Sequence, residues 1–103
     1  MTWWGIEFPF SGSSQVKARP AMVVLDTGDD DLVVARVTTA QHQTPYDVSI
    51  GDWQGAGLLA PSTVRLHKVA TLEKTLIRRQ LGQLQPADRA KVAAVLNRTY
   101  GRW

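Results

Sequence analysis

Residues 21–39 read Ala21-Met22-Val23-Val24-Leu25-Asp26-Thr27-Gly28-Asp29-Asp30-Asp31-Leu32-Val33-Val34-Ala35-Arg36-Val37-Thr38-Thr39. The continuous apolar run at 21–25 is short enough to be a buried strand. Thr27-Gly28-Asp29-Asp30-Asp31 is a turn, and the β-branched stretch 32–39 follows as a second strand, so the segment predicts a hairpin. Three adjacent carboxylates at the tip repel one another and stay solvated. Their spacing lacks the pattern of a Ca²⁺ loop.

Working outward, the N-terminal flank is Lys17-Ala18-Arg19-Pro20, in which Pro20 holds Arg19 extended. Residues 11–15 are small and polar and predict a flexible loop, while the aromatic-rich 3–10 stretch predicts a strand. On the C-terminal side, 40–61 is loop-heavy and punctuated by Gly51, Gly55 and Gly57. Long irregular stretches in small domains are often functional. Residues 63–69 alternate Val64, Leu66 and Lys68 with Arg65 and His67, and 76–84 is another strand candidate. Pro86 suits the first helical position, Asp88 complements the helix dipole, and Val92, Val95, Leu96 and Thr99 mark one face. The helix is expected to stop near Tyr100-Gly101. Short strands plus one terminal helix predict a mainly β fold with α, built as a small bent sheet or partly closed barrel.

The chain has 103 residues, 44% of them hydrophobic and 20% charged, with no cysteine and a net charge of +3. That length predicts a single domain over 1–103, and the balance excludes disordered, collagenous and disulfide-scaffold classes. No run is long enough to span a membrane. The Met1-Thr2-Trp3-Trp4 start has no basic segment leading into an apolar stretch, so a cytoplasmic protein is expected. The charge is uneven. Residues 1–60 carry Lys17, Arg19 and Arg36 against seven acids, whereas 61–103 carry nine basic residues against Glu73 and Asp88. Such a split suits a polyanion or an acidic partner, or simply a solvated basic face.

Several chemistries are missing from this pattern. Two histidines, His42 and His67, without cysteine do not make a zinc site by spacing. No glycine cluster is followed by Lys-Ser/Thr, and no serine sits in a nucleophile elbow. What remains is cationic and hydroxyl groups at strand and loop ends. Arg19 at a loop-to-strand junction is placed to grip a phosphate with a bidentate fork. Thr38 and Thr39 end a strand, and Arg65 and His67 share one face of theirs, where a histidine is able to move protons.

In order and spacing, the chain resembles the MazF/PemK family of toxin ribonucleases of bacterial toxin–antitoxin pairs. The resemblance is carried by Phe8-Pro9-Phe10-Ser11, Lys17-Ala18-Arg19-Pro20, Arg36-Val37-Thr38-Thr39, Thr44-Pro45-Tyr46-Asp47-Val48, the 57–65 segment and Lys68-Val69-Ala70-Thr71-Leu72-Glu73-Lys74. It implies a small SH3-like (CcdB/MazF-like) barrel with a C-terminal helix, a homodimer, and cleavage of single-stranded RNA without metal or cofactor. It also implies a cognate antitoxin that covers the RNA groove. The family's arginine before proline falls on Arg19 and its strand-end catalytic threonine on Thr38. Arg65 matches the arginine of an Arg-x-Asp pair found in some members, with His67 in the acid's place. On this reading Arg19, Thr38, Arg65 and His67 are the catalytic candidates, and Lys17, Gln41 and His42 contact RNA. Two other readings fit the same resemblance: a non-catalytic module that poisons a protein target such as a topoisomerase, or an inactive relative that keeps only the antitoxin or dimer surface.

Overall fold

In a computed structural model, the described residues are 4–12 and 15–101, with side chains described from Arg19 onward. The strands are β1 (Trp4–Gly12), β2 (Gln15–Leu25), β3 (Asp31–Thr38), β4 (Asp47–Ser49), β5 (Thr63–Glu73) and β6 (Arg79–Gln83). A 3-10 turn at Lys74–Leu76 precedes β6, and helix α1 (Pro86–Tyr100) ends the chain. All six strands form one antiparallel sheet in the order β4-β5-β3-β2-β1-β6. The mainly β fold with a C-terminal helix is the one expected. The sheet is open, with β4 and β6 as its two ends, and it bends at bulges in which one strand carries extra residues against its partner.

The largest of these bulges shapes the site. Arg36 pairs with Arg65 and Ala35 with Val69, so Leu66, His67 and Lys68 have no partners on β3. The side-chain alternation of β5 changes phase across those three residues.

The β2–β3 hairpin forms where residues 21–39 predict it, because both strands are buried on both faces. Met22, Ala35, Val37, Val64 and Leu66 pack with Val92 and Val95 of α1 in the main core. Ala21, Val23, Leu32 and Val34 form a smaller cluster, with Leu72 and Ile77 against it, on the opposite face. Gly28, at φ 88°, takes the left-handed conformation the hairpin turn needs.

One expectation is corrected. Residues 11–15 are not a loop throughout: β1 runs to Gly12, β2 begins at Gln15, and the two residues pair. Small polar residues do not prevent extended pairing once the flanking strands fix the register. The 40–61 segment is loop-heavy as expected, apart from the three residues of β4, which pair with β5.

Helix α1 spans Pro86 to Tyr100 as expected. Asp88 does more than complement the dipole. Only 2% exposed, it accepts the backbone N–H groups of Gly51 at 2.8 Å and Asp52 at 2.9 Å. The 51–57 turns are thereby tied to the first turn of the helix. Gly57, at φ 84°, abuts the Leu81 carbonyl so closely that a Cβ would collide with it, which brings this loop onto β6. Among the described residues no helix is long and apolar enough to cross a membrane.

Candidate functional site

The period of two along each strand decides which side chains share the sheet's outer face. Ala21 pairs with Arg36 across β2–β3, and Thr38 pairs with Thr63 across β3–β5. Arg19 lies two residues before Ala21, and Thr38 two residues after Arg36. Arg19, Ala21, Arg36 and Thr38 therefore lie on one face with Thr63, opposite the helix-covered core.

On that face lies a cleft of about 600 Å³. Ala21, Val34 and Leu72 supply apolar lining, and Arg19, Arg36 and Lys68 contribute three cations to the cleft that Thr38 also lines. Among the described residues no carboxylate or imidazole lines it, and none forms an ion pair with any of the three cations. Three cations without a described counter-charge, beside apolar lining, suit a polyanion that also has flat apolar groups.

Thr38 is the last residue of β3, and its Oγ1 accepts the N–H of Ala40 at 3.1 Å. That bond fixes the oxygen and leaves the hydroxyl proton free to donate into the cleft.

Arg65 and His67 stay together but outside the cleft lining. The Arg65 Nε donates to Asp47 Oδ1 at 2.9 Å, and its Nη2 lies 3.4 Å from His67 Nε2. The His67 ring packs against Tyr46, with centroids 5.2 Å apart. Asp47 Oδ2 accepts both the N–H and the hydroxyl of Thr44, at 3.0 and 2.6 Å. Burial pushes the Asp47 carboxyl up, but hydrogen bonds from Thr44 and Arg65 outweigh it and hold the group at about 2. The carboxylate is thus ionised at neutral pH and the Arg65 charge is committed to it. From α1, Arg98 reaches the Pro45 carbonyl and the Tyr100 hydroxyl donates to the Leu66 carbonyl at 2.6 Å, bracing this corner.

The other sequence candidates scatter. Gln41 and His42 sit on the loop after β3 and do not line the cleft. The Lys17 side chain falls outside the described residues. Conversely, Arg36 and Lys68 line the cleft without having been singled out. Arg36 was visible as the residue two before Thr38 on one strand. Lys68 was not: simple alternation puts it with Val64 and Leu66 on the core side, and only the bulge turns it into the cleft. No group of three or more His, Asp or Glu side chains suited to a metal is found among the described residues.

Comparison with known proteins gives a consistent picture. The family model described as PemK-like, MazF-like toxin of type II toxin–antitoxin system matches residues 3–100. Among curated proteins nothing matches. One similar solved structure is an endoribonuclease from Mycobacterial species, 26% identical, with 84% of each chain covered and a TM-score of 0.68. Another is an endoribonuclease in complex with its cognate antitoxin, also from Mycobacterial species. It is 23% identical, with 95% of this chain and 94% of that one covered and a TM-score of 0.73. The Mycobacterium tuberculosis toxin MazF-mt6 is 21% identical, with 95% and 98% covered and a TM-score of 0.75.

Proposed function

Because the chain belongs to the PemK-like, MazF-like toxin family of type II toxin–antitoxin systems, we propose that it is a toxin that cleaves single-stranded RNA. The observation that carries this reading is a cleft that Arg19, Arg36, Lys68 and Thr38 line together, with no described carboxylate among them. Similarity to an endoribonuclease at 26% identity supports it.

The reaction is attack of a ribose 2′-oxygen on the adjacent phosphorus. A bond forms from O2′ to phosphorus, the bond from phosphorus to O5′ breaks, and the products are a 2′,3′-cyclic phosphate and a 5′-hydroxyl. Negative charge builds on the non-bridging oxygens, where the guanidinium groups of Arg19 and Arg36 stabilise it. Thr38 donates its hydroxyl to the scissile phosphate and holds it in line with the attacking oxygen. The apolar lining suits the faces of splayed bases. Arg65 and His67 act on this site from the next row of the sheet: their pairing with Asp47 and Tyr46 fixes the β4–β5 edge beside the cleft. No step is assigned to a metal or cofactor.

The proposal includes a cognate antitoxin as partner, supported by the similar endoribonuclease that is bound to its own antitoxin. It also includes a homodimer, as the family resemblance implies, and action in the cytoplasm, where messenger RNA is available.

The test is to map cleavage of a long natural single-stranded RNA with and without EDTA. Cuts at a short recurring sequence with cyclic-phosphate ends are expected in both conditions, and an Arg19→Ala/Thr38→Ala double variant is expected to lose them. Growth arrest with RNA left intact would instead favour a toxin that acts on a protein target.

A further inference from the structure

In the proposed reaction one proton still needs a source. When the bond from phosphorus to O5′ breaks, the electron pair departs on O5′, and a ribose alkoxide is a poor leaving group unless protonated. The cleft restricts the choice of donor. Arg19 and Arg36 are guanidinium groups and do not give up a proton in proteins. The Ser62 hydroxyl is committed to the Ala60 carbonyl at 2.8 Å. The hydroxyls of Thr38 and Thr39 are no more acidic than the oxygen they would protonate. No described carboxyl or imidazole lines the cleft, and His67 is held outside it against Tyr46 and Arg65. Among the described lining side chains, one remains with a transferable proton, the ammonium of Lys68.

Its placement is specific. Lys68 is the last of the three residues that bulge from β5, and Val69 beyond it pairs again with β3. Without the bulge the side chain would fall on the same face as Val64 and Leu66, in the core. With it, Lys68 is exposed in the cleft beside Arg36 and Thr38. We propose that Lys68 is the general acid that protonates the leaving 5′-oxygen. As the bond from O2′ to phosphorus forms and the bond from phosphorus to O5′ breaks, the ammonium proton moves to O5′. The 2′-hydroxyl proton passes to solvent water, and the resulting amine regains a proton from water. Charge stabilisation and proton donation are thereby divided between arginine and lysine, which is the chemistry each side chain suits.

The assignment rests on the RNA-cleaving reading, and the experiment separates the two. A short RNA carrying the mapped cleavage site is prepared with its scissile 5′-oxygen and, separately, with sulfur in that place, since a thiolate leaves without protonation. Lys68→Arg, which keeps the charge but not the transferable proton, and Lys68→Met are compared with the unaltered protein. Both variants are expected to lose about 10²-fold or more in kcat/KM on the oxygen substrate and to come within about tenfold of the unaltered protein on the sulfur substrate. Full activity in Lys68→Arg, or an equal loss on both substrates, would overturn the assignment and leave Lys68 as a phosphate contact. Failure of the unaltered protein to cut either RNA would overturn the RNA-cleaving reading itself.

Discussion

Arg65 and Asp47 are direct partners across the β4–β5 ladder, with Nε of the arginine 2.9 Å from Oδ1 of the aspartate. Arg65 is also the cross-strand partner of Arg36. Two like charges directly opposite are unfavourable on a sheet, and Asp47 answers one of them. Arg36 is left to the cleft. The Asp47 side chain is 1% exposed and that of Arg65 14% exposed, so water replaces the partner poorly for Arg65 and not at all for Asp47.

Removing one member of such a pair strands the other. Asp47→Ala is therefore expected to destabilise the protein by about 3 kcal/mol, measured by urea unfolding. A loss below about 0.5 kcal/mol, the range of an exposed pair, would show that Arg65 finds another partner.

Stability is also expected to depend on pH through this carboxyl. It stands at about 2 in the folded chain against an ordinary 3.8, so the unfolded chain takes up its proton at the higher pH. The contribution is complete above about pH 4 and is lost as pH falls towards 2, and it amounts to about 2 kcal/mol. Asp88 acts in the same direction: burial raises its carboxyl, but the N–H groups of Asp52 and Gly51 and the Lys91 ammonium lower it further. Urea midpoints are expected to fall between pH 5 and pH 2.5, less steeply in Asp47→Asn. A midpoint that holds or rises over that range would contradict the sign.

Asp88 ties α1 to the turn after β4 through two backbone N–H groups. Asp88→Ala leaves both donors without a partner and is expected to cost about 2–3 kcal/mol. Amide hydrogen exchange at Gly51 and Asp52 checks the mechanism: both should exchange faster than in the unaltered protein, while the β2–β3 amides change only with global stability.

The Thr38 hydroxyl is separable from its methyl group. Thr38→Ser keeps both the bond from Ala40 and the donated proton and is expected to retain activity within about tenfold. Thr38→Val keeps the shape and is expected to lose about 10²–10³ in kcat, as removal of a transition-state donor does. Equal rates for the two variants in single-turnover cleavage would exclude the hydroxyl from the chemistry.

Much of this was legible from the chain alone. The apolar run at 21–25, the acidic turn and the β-branched stretch after it specify the hairpin, because propensity, turn residues and burial agree over a short span. The start of α1 at Pro86 is local for the same reason. Arg19 and Thr38 were readable as strand-end groups, yet their common face follows from the Ala21–Arg36 pairing, which joins residues on different strands.

The rest was fixed only by tertiary structure. Asp47 and Arg65 are eighteen positions apart, and Gly51 and Asp88 thirty-seven; no local signal links either pair. The outward turn of Lys68 depends on a bulge, and a bulge is a mismatch between two strands rather than a property of one. Sequence by itself determined which segments are strand or helix, since those preferences act within a few residues. Register decided which cations share the cleft with Thr38 and which is neutralised by a buried acid, because register is settled only when distant strands compete to bury their apolar faces.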